Sequence, residues 1–208
     1  MDIRETIIEA ALKLLRKHGF GALSQPRIAA EAGVRQSHLT YYFPSRGDLL
    51  FAVADRSCEV LLAPLADRAA RGDLSVEEVA EALCDAISDR GVSRIFHALI
   101  SGSDEDSSLK RKMRKFQAEA VRDLQGLFGG AGLEVSTGDA RVIHAMLCGA
   151  SSMDLGVCSP ASRRDAREAL RRTIDLVRAA ASPSARPGSR ARPAAPPRSS
   201  RARKARGK

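Results

Sequence analysis

Apolar positions recur every three or four residues almost without a break as far as residue 180, a period that predicts helix throughout. In the first segment Ile3, Ile7, Ala11, Leu14, Leu15 and His18 share one face. Asp2 with Glu5 marks its start and Gly19 its stop. Ser24 caps a short second helix over about 25–32, with Pro26 in its first turn, where a missing N–H costs nothing. Gly33 ends that helix, and a third runs over about 35–43 to Pro44. Leu49, Leu50, Val53, Ser57, Val60 and Leu61 mark a long fourth helix, with an interruption expected near Pro64. Ser75 with Glu78 is a capping box that opens a fifth, reaching about residue 89. A short sixth covers about 92–101, and the acidic, serine-rich SGSDEDSS reads as a loop. A seventh spans about 109–128, an eighth about 139–155, and a ninth about 162–181. No strand pattern and no internal repeat occurs, so the fold class expected is all-α, with about nine helices.

Composition agrees with that reading. Aromatic residues make up only 4% of the 208 and tryptophan is absent, so Leu, Ile, Val and Ala must build the core. No apolar run approaches the roughly 20 residues that span a bilayer. The amphipathic, early-acidic N-terminus lacks the pattern of a secretory signal, and a cytoplasmic protein is expected. The net charge of +9 is concentrated at one end. Residues 183–208 hold nine of the thirty-four basic residues and no acid, which leaves twenty-five basic against twenty-five acidic residues in the body. This Pro-, Ala-, Ser- and Arg-rich segment has no apolar period and is expected to be a disordered tail. Either it meets phosphates as a mobile polycation, or it is a solvated extension.

Two short helices joined at Gly33 form a helix-turn-helix over about residues 24–43. Ile28, Ala29, Ala32, Val34 and Leu39 supply its apolar anchors, and Gly33 the turn, with positive φ expected. Gln36, Ser37, His38, Thr40, Tyr41 and Tyr42 are then left to face outward. Short polar side chains at a helix N-terminus suit base edges in the major groove, and Gln36 suits a bidentate pair with adenine. Ser24 and Arg46 are placed to meet phosphates.

The run from Ile7 to Val53 resembles the N-terminal domain of TetR-type (tetracycline-repressor-like) transcriptional regulators. Gly19 and Phe20 close the first helix as in that family. Ile28, Ala29, Ala32, Gly33 and Val34 match its IA..AGV motif, and Leu39 to Arg46 its leucine followed by a YxYFPSK-like stretch. Leu49 and Leu50 match the pair that opens the long fourth helix. Thr40 stands where the family often has tyrosine, Tyr41 where histidine is common, and Arg46 where lysine is usual. The resemblance implies double-stranded DNA as a partner, contacted through Ser24, Arg27, Gln36, Ser37, His38, Thr40, Tyr41, Tyr42 and Arg46. It also implies a division into a DNA-binding domain at 1–46 and a helical ligand-binding and dimerisation domain at 47–182.

Within the second part, Phe96, His97, Met113, Phe116, His144, Met146, Cys148 and Met153 are candidates to line a pocket for an unidentified small molecule. Ala166, Leu170, Thr173, Ile174 and Val177 share one face of the ninth helix and are candidates for a homodimer interface. His144 and Cys148 lie four apart, as two metal ligands would, but one pair is too few to predict a metal. The four cysteines are scattered, without zinc spacing. No P-loop, GxSxG, dinucleotide fingerprint or HExxH occurs, so no enzyme activity and no cofactor is expected. The function expected is a ligand-responsive repressor that binds a palindromic operator as a homodimer. The alternative is a protein-interaction module with a vestigial helix-turn-helix, compatible with the lack of Arg and Lys from Gln36 to Phe43.

Overall fold

A computed structural model describes residues 2–181. Among them are nine α-helices: α1 Ile3–His18, α2 Gln25–Ala32, α3 Gln36–Tyr42, α4 Arg46–Arg71, α5 Val76–Ser88, α6 Arg90–Glu105, α7 Ser107–Gly130, α8 Thr137–Val157 and α9 Pro160–Ala181. A single 3₁₀ turn, Phe20–Ala22, joins α1 to α2. The expected tail, 183–208, lies outside the described residues. No helix among the described residues is long and apolar enough to cross a membrane.

The helix starts follow local chemistry. Ser45 and Asp48 close a reciprocal capping box at α4, and Ser75 and Glu78 do the same at α5. Ser136 accepts the Asp139 N–H at α8. Arg68 joins the α5 cap by an ion pair to Glu78 at 2.8 Å, and this bond, with those from Ser75, pulls the Glu78 carboxyl down to about 2. At the other end of α2, Gly33 takes φ 65 and ψ 28. The Val34 N–H then returns to the Ala29 carbonyl at 3.0 Å, which satisfies one of the carbonyls left over at the helix end.

Two expectations fail at helix junctions. The acidic stretch after residue 101 is not a loop, because α6 continues to Glu105. Asp106 ends α6 and accepts the N–H groups of Ser108 and Leu109, so the connection shrinks to one residue. Nor does Pro64 interrupt α4. Leu62 before it and Leu65 and Ala69 after it all pack on the same core, and that burial carries the helix across the missing hydrogen bond.

Packing divides into two cores. The first joins α1, α2, α3 and the opening turns of α4 to Ile95 and Leu99 of α6 and Leu109 and Met113 of α7. It therefore continues across the expected boundary at 46/47. The second joins α5, the later part of α7, α8 and α9, with the later part of α4 against it. Phe128 is its largest fully buried side chain. Close by, a Cβ on Gly130 would lie 2.4 Å from the Ala69 Cβ, so only glycine lets the end of α7 touch α4.

Ala166, Leu170, Thr173, Ile174 and Val177, expected at a dimer interface, are buried in this second core. Leu170 is 0% exposed and Ile174 2%. A side chain sealed within its own chain offers no surface to a second copy, so that face of α9 is corrected to an intramolecular one. Its neighbouring edge holds Arg167, which pairs with Glu81 and, at 2.8 Å, with Asp85. Arg171 also pairs with Glu81, and Arg178 with Glu77 at 2.6 Å. These bonds fasten α9 to α5.

Candidate nucleic-acid interface and internal cavity

The second helix-turn-helix element is held by one residue. Leu39 is 0% exposed and seats α3 in the first core, while Phe43 seals its end. With Leu39 pointing inward, helical geometry turns Gln36, Ser37, His38, Thr40 and Tyr41 outward, and all five are exposed. Tyr41 is 79% exposed, whereas Tyr42 is half-buried against the core and meets the Tyr41 ring edge-on at 5.2 Å. The Thr40 hydroxyl donates to the Gln36 carbonyl at 3.1 Å.

Around this edge stand cations and free helix ends. Arg27, Arg35 and Arg46 are exposed. The Arg46 guanidinium lies over the Phe20 ring, 5.8 Å from its centroid. Ser24 begins α2 but makes no side-chain cap bond, and Arg35 likewise begins α3 without one. Both helices therefore present uncapped N–H groups, a setting that favours anions. Of the expected DNA-facing residues, all are exposed except Tyr42, which is half-buried.

A cavity of about 310 Å³ opens among α4, α5, α6, α7 and α8. Six of the expected pocket residues line it: Phe96, His97, Met113, Phe116, His144 and Cys148. Met146 and Met153 do not. Met146 packs against the second core, and Met153 is 74% exposed on the outside of α8. The reason is phase: both methionines are turned away from the side of α8 that carries His144, Cys148 and Ser151. Cys58, Ser93, Gln117, Asp123 and Ser151 were not anticipated. They come from four helices, and no spacing along the chain connects them.

The cavity wall is largely apolar. Burial pushes the His144 imidazole down from its ordinary value and the Cys148 thiol up. Cys148 is exposed and lines this space, and its Sγ lies 3.8 Å from His144 Nε2. Burial pushes the Cys58 thiol up to about 12. The Ser93 and Ser151 hydroxyls meet at 2.6 Å, and His97 Nδ1 lies 2.8 Å from the Ser93 carbonyl, which it reaches as a donor. No group of three or more His, Cys, Asp or Glu among the described residues is arranged to hold a metal.

α8 has a third face, neither core nor cavity. Val142, Ala145, Gly149, Met153 and Val157 follow one another at helical spacing and are all exposed. On α9 the exposed Leu176 is 55% accessible. The signal was present in the sequence as a second apolar stripe on α8, alongside the buried one.

Comparison with known proteins follows the same division. Residues 7–53 match the family model described as "Bacterial regulatory proteins, tetR family". The HTH-type transcriptional regulator RutR of Escherichia coli (strain K12) is 39% identical over 62 residues, 30% of this chain and 29% of that protein. The match thus spans less than a third of the curated relative's length. Over most of the chain the similarity is one of fold. A TetR transcriptional regulator from Legionella pneumophila is 22% identical, with a TM-score of 0.59 over 84% of this chain and 98% of that one. The multidrug binding protein EbrR complexed with ethidium is 24% identical, with a TM-score of 0.56 over 83% and 99%. Residues 7–53, which span α1, α2, α3 and the start of α4, therefore match the helix-turn-helix domain of the TetR family of bacterial regulatory proteins, and the remainder of the chain shares the fold of solved TetR regulators.

Proposed function

We propose that the protein is a cytoplasmic DNA-binding transcriptional regulator, a homodimer that represses from a palindromic operator and releases it when a small molecule fills the cavity. The observation that carries this reading is the exposed edge of α3. A helix buried through Leu39 presents Gln36, Ser37 and His38 to the outside, and no hydrogen bond or ion pair among the described residues engages their side chains. In this reading those three meet base edges. Ser24, Arg27, Thr40, Tyr41, Tyr42 and Arg46 meet the phosphate backbone, which fixes register without reading sequence.

Residues 1–46 are the DNA-reading part, and 47–182 bind the effector and the second copy. The open stripe on α8, with Leu176 of α9, is the surface we assign to the dimer. Its small residues let two copies approach closely and its apolar area is otherwise left in water. Two headpieces read one operator when they lie about 34–36 Å apart, one turn of the duplex.

The two cores supply a link between effector and DNA. Met113 belongs to the first core and also lines the cavity, and Phe96 lines the cavity and packs on that core. A ligand that prefers one arrangement of these side chains shifts the headpieces by its differential affinity for the two states. That EbrR, a protein of the same fold, is solved with ethidium supports the cavity as the effector site.

Anisotropy titration of a labelled duplex taken from upstream of the protein's own gene, against a random duplex of equal length, tests the reading. Preference for the upstream duplex at moderate salt is expected. Equal affinity for both would leave no sequence-reading role for α3.

A further inference from the structure

We propose that the cavity is built for a lipophilic organic cation. This deepens the effector reading above and rests on it. Its basis is the charge of the lining. Asp85, Asp89 and Asp123 border the space, and no lysine or arginine does among the described residues. Two of these carboxylates are engaged. Asp85 pairs with Arg167 at 2.8 Å, and Asp89 accepts the Val92 N–H at 3.0 Å.

Asp123, on α7, is different. It has no hydrogen bond and no ion pair among the described residues. Its basic neighbour Arg122 turns to Glu119 instead, at 3.8 Å. Desolvation, with the like charge of Glu119, pushes the Asp123 carboxyl up from its ordinary value. Asp123 is exposed and Arg122 partly offsets its charge, so a cation in the cavity gains an attraction to this carboxylate that a neutral ligand does not.

The wall suits the same class. Phe96 and Phe116 both line the space, their ring centroids 5.3 Å apart at an angle of 38°. Phe51 supports the Phe116 ring edge-on from behind, at 5.9 Å. Aromatic faces attract positive charge and repel negative charge. Burial lowers the His144 pKa and so disfavours a positive charge on its imidazole. An anionic ligand would lose its water to a wall holding carboxylates and ring faces and no cation.

The test uses two ions of one shape and opposite charge. N-phenyl-1-naphthylamine, uncharged and fluorescent in apolar surroundings, reports occupancy of the cavity in the full-length protein without DNA. Tetraphenylphosphonium is expected to displace it at a concentration at least about tenfold lower than tetraphenylborate does, the scale of an unpaired charge and its desolvation. Asp123→Asn is expected to narrow that ratio several-fold and to leave naphthylamine affinity unchanged. Phe116→Ala weakens all three. Equal or better displacement by tetraphenylborate would overturn the proposal and leave the cavity a ligand site of another class. Failure of all three probes to bind would remove both the cation and the effector reading. Tight phosphonium binding with no change in affinity for the duplex would keep the cation site and remove only its regulatory role.

Discussion

Asp48 of α4 and Lys112 of α7 form an ion pair between the helix that leaves the headpiece and one that lines the cavity. Asp48 is also the capping-box residue of α4, accepting from Ser45 N at 3.2 Å and from the Ser45 hydroxyl at 2.8 Å. Partial burial disfavours its charge, but the bonds from Lys112 and Ser45 outweigh this and hold the carboxyl below its ordinary range.

Asp48→Asn is expected to destabilise the fold by about 1 kcal/mol at neutral pH, the usual worth of a helix cap. The native carboxyl titrates below the unfolded one, whose pKa is about 3.9. Its contribution is therefore complete above that value and disappears as pH falls through the lower native value. Urea unfolding of both proteins should give midpoints that differ at pH 7 and converge in acid, once the native carboxyl is protonated. A gap that persists in acid would mean that the charge of Asp48 contributes nothing.

Gln36→Ala and Arg46→Ala should separate base reading from phosphate contact. The first should weaken binding by roughly 1–3 kcal/mol on the preferred sequence and relax preference at one base pair. The second should weaken all duplexes alike and reduce the salt slope by about one. Competition assays at two salt concentrations distinguish the two patterns, and a uniform loss with Gln36→Ala would take that residue off the base edges.

Substitution on α8 and α9 should divide by face. Met153→Glu, on the open stripe, is expected to give a folded monomer by sedimentation, with weakened DNA binding. Ile174→Ala, in the second core, should instead cost about 2–5 kcal/mol of stability through the cavity it leaves. A Met153→Glu protein that remains dimeric would move the interface elsewhere.

The cysteines should alkylate in an order set by their surroundings. Cys158 is exposed and should react first with iodoacetamide, whereas Cys58, with its thiol pushed up to about 12, and buried Cys84 should react only on unfolding. Cys148 faces the cavity, and a bound occupant should protect it. Peptide mass spectrometry at successive times reads the order. Early labelling of Cys58 would show that the cavity wall opens.

The helices and the helix-turn-helix were legible along the chain, because the forces that specify them act between near neighbours. Ser45 with Asp48 and Ser75 with Glu78 are caps three residues apart, Gly33 supplies the left-handed turn between α2 and α3, and the anchors Ile28 and Leu39 set which side of α2 and α3 turns outward. Only the tertiary structure decided what covers each apolar face. Ile174 and Met153 both read as apolar positions on helices, and periodicity carries no record of the partner. Burial against α5 and α8 makes Ile174 a core residue, while exposure leaves Met153 open. The cavity is non-local in the same way, since Cys58, Phe96, Asp123 and His144 come from four helices and meet only when those helices pack. At Pro64 and at Asp106 the local signal pointed to a break and a loop. Burial on both sides of Pro64, and the double capping role of Asp106, supplied free energy that the local pattern does not contain.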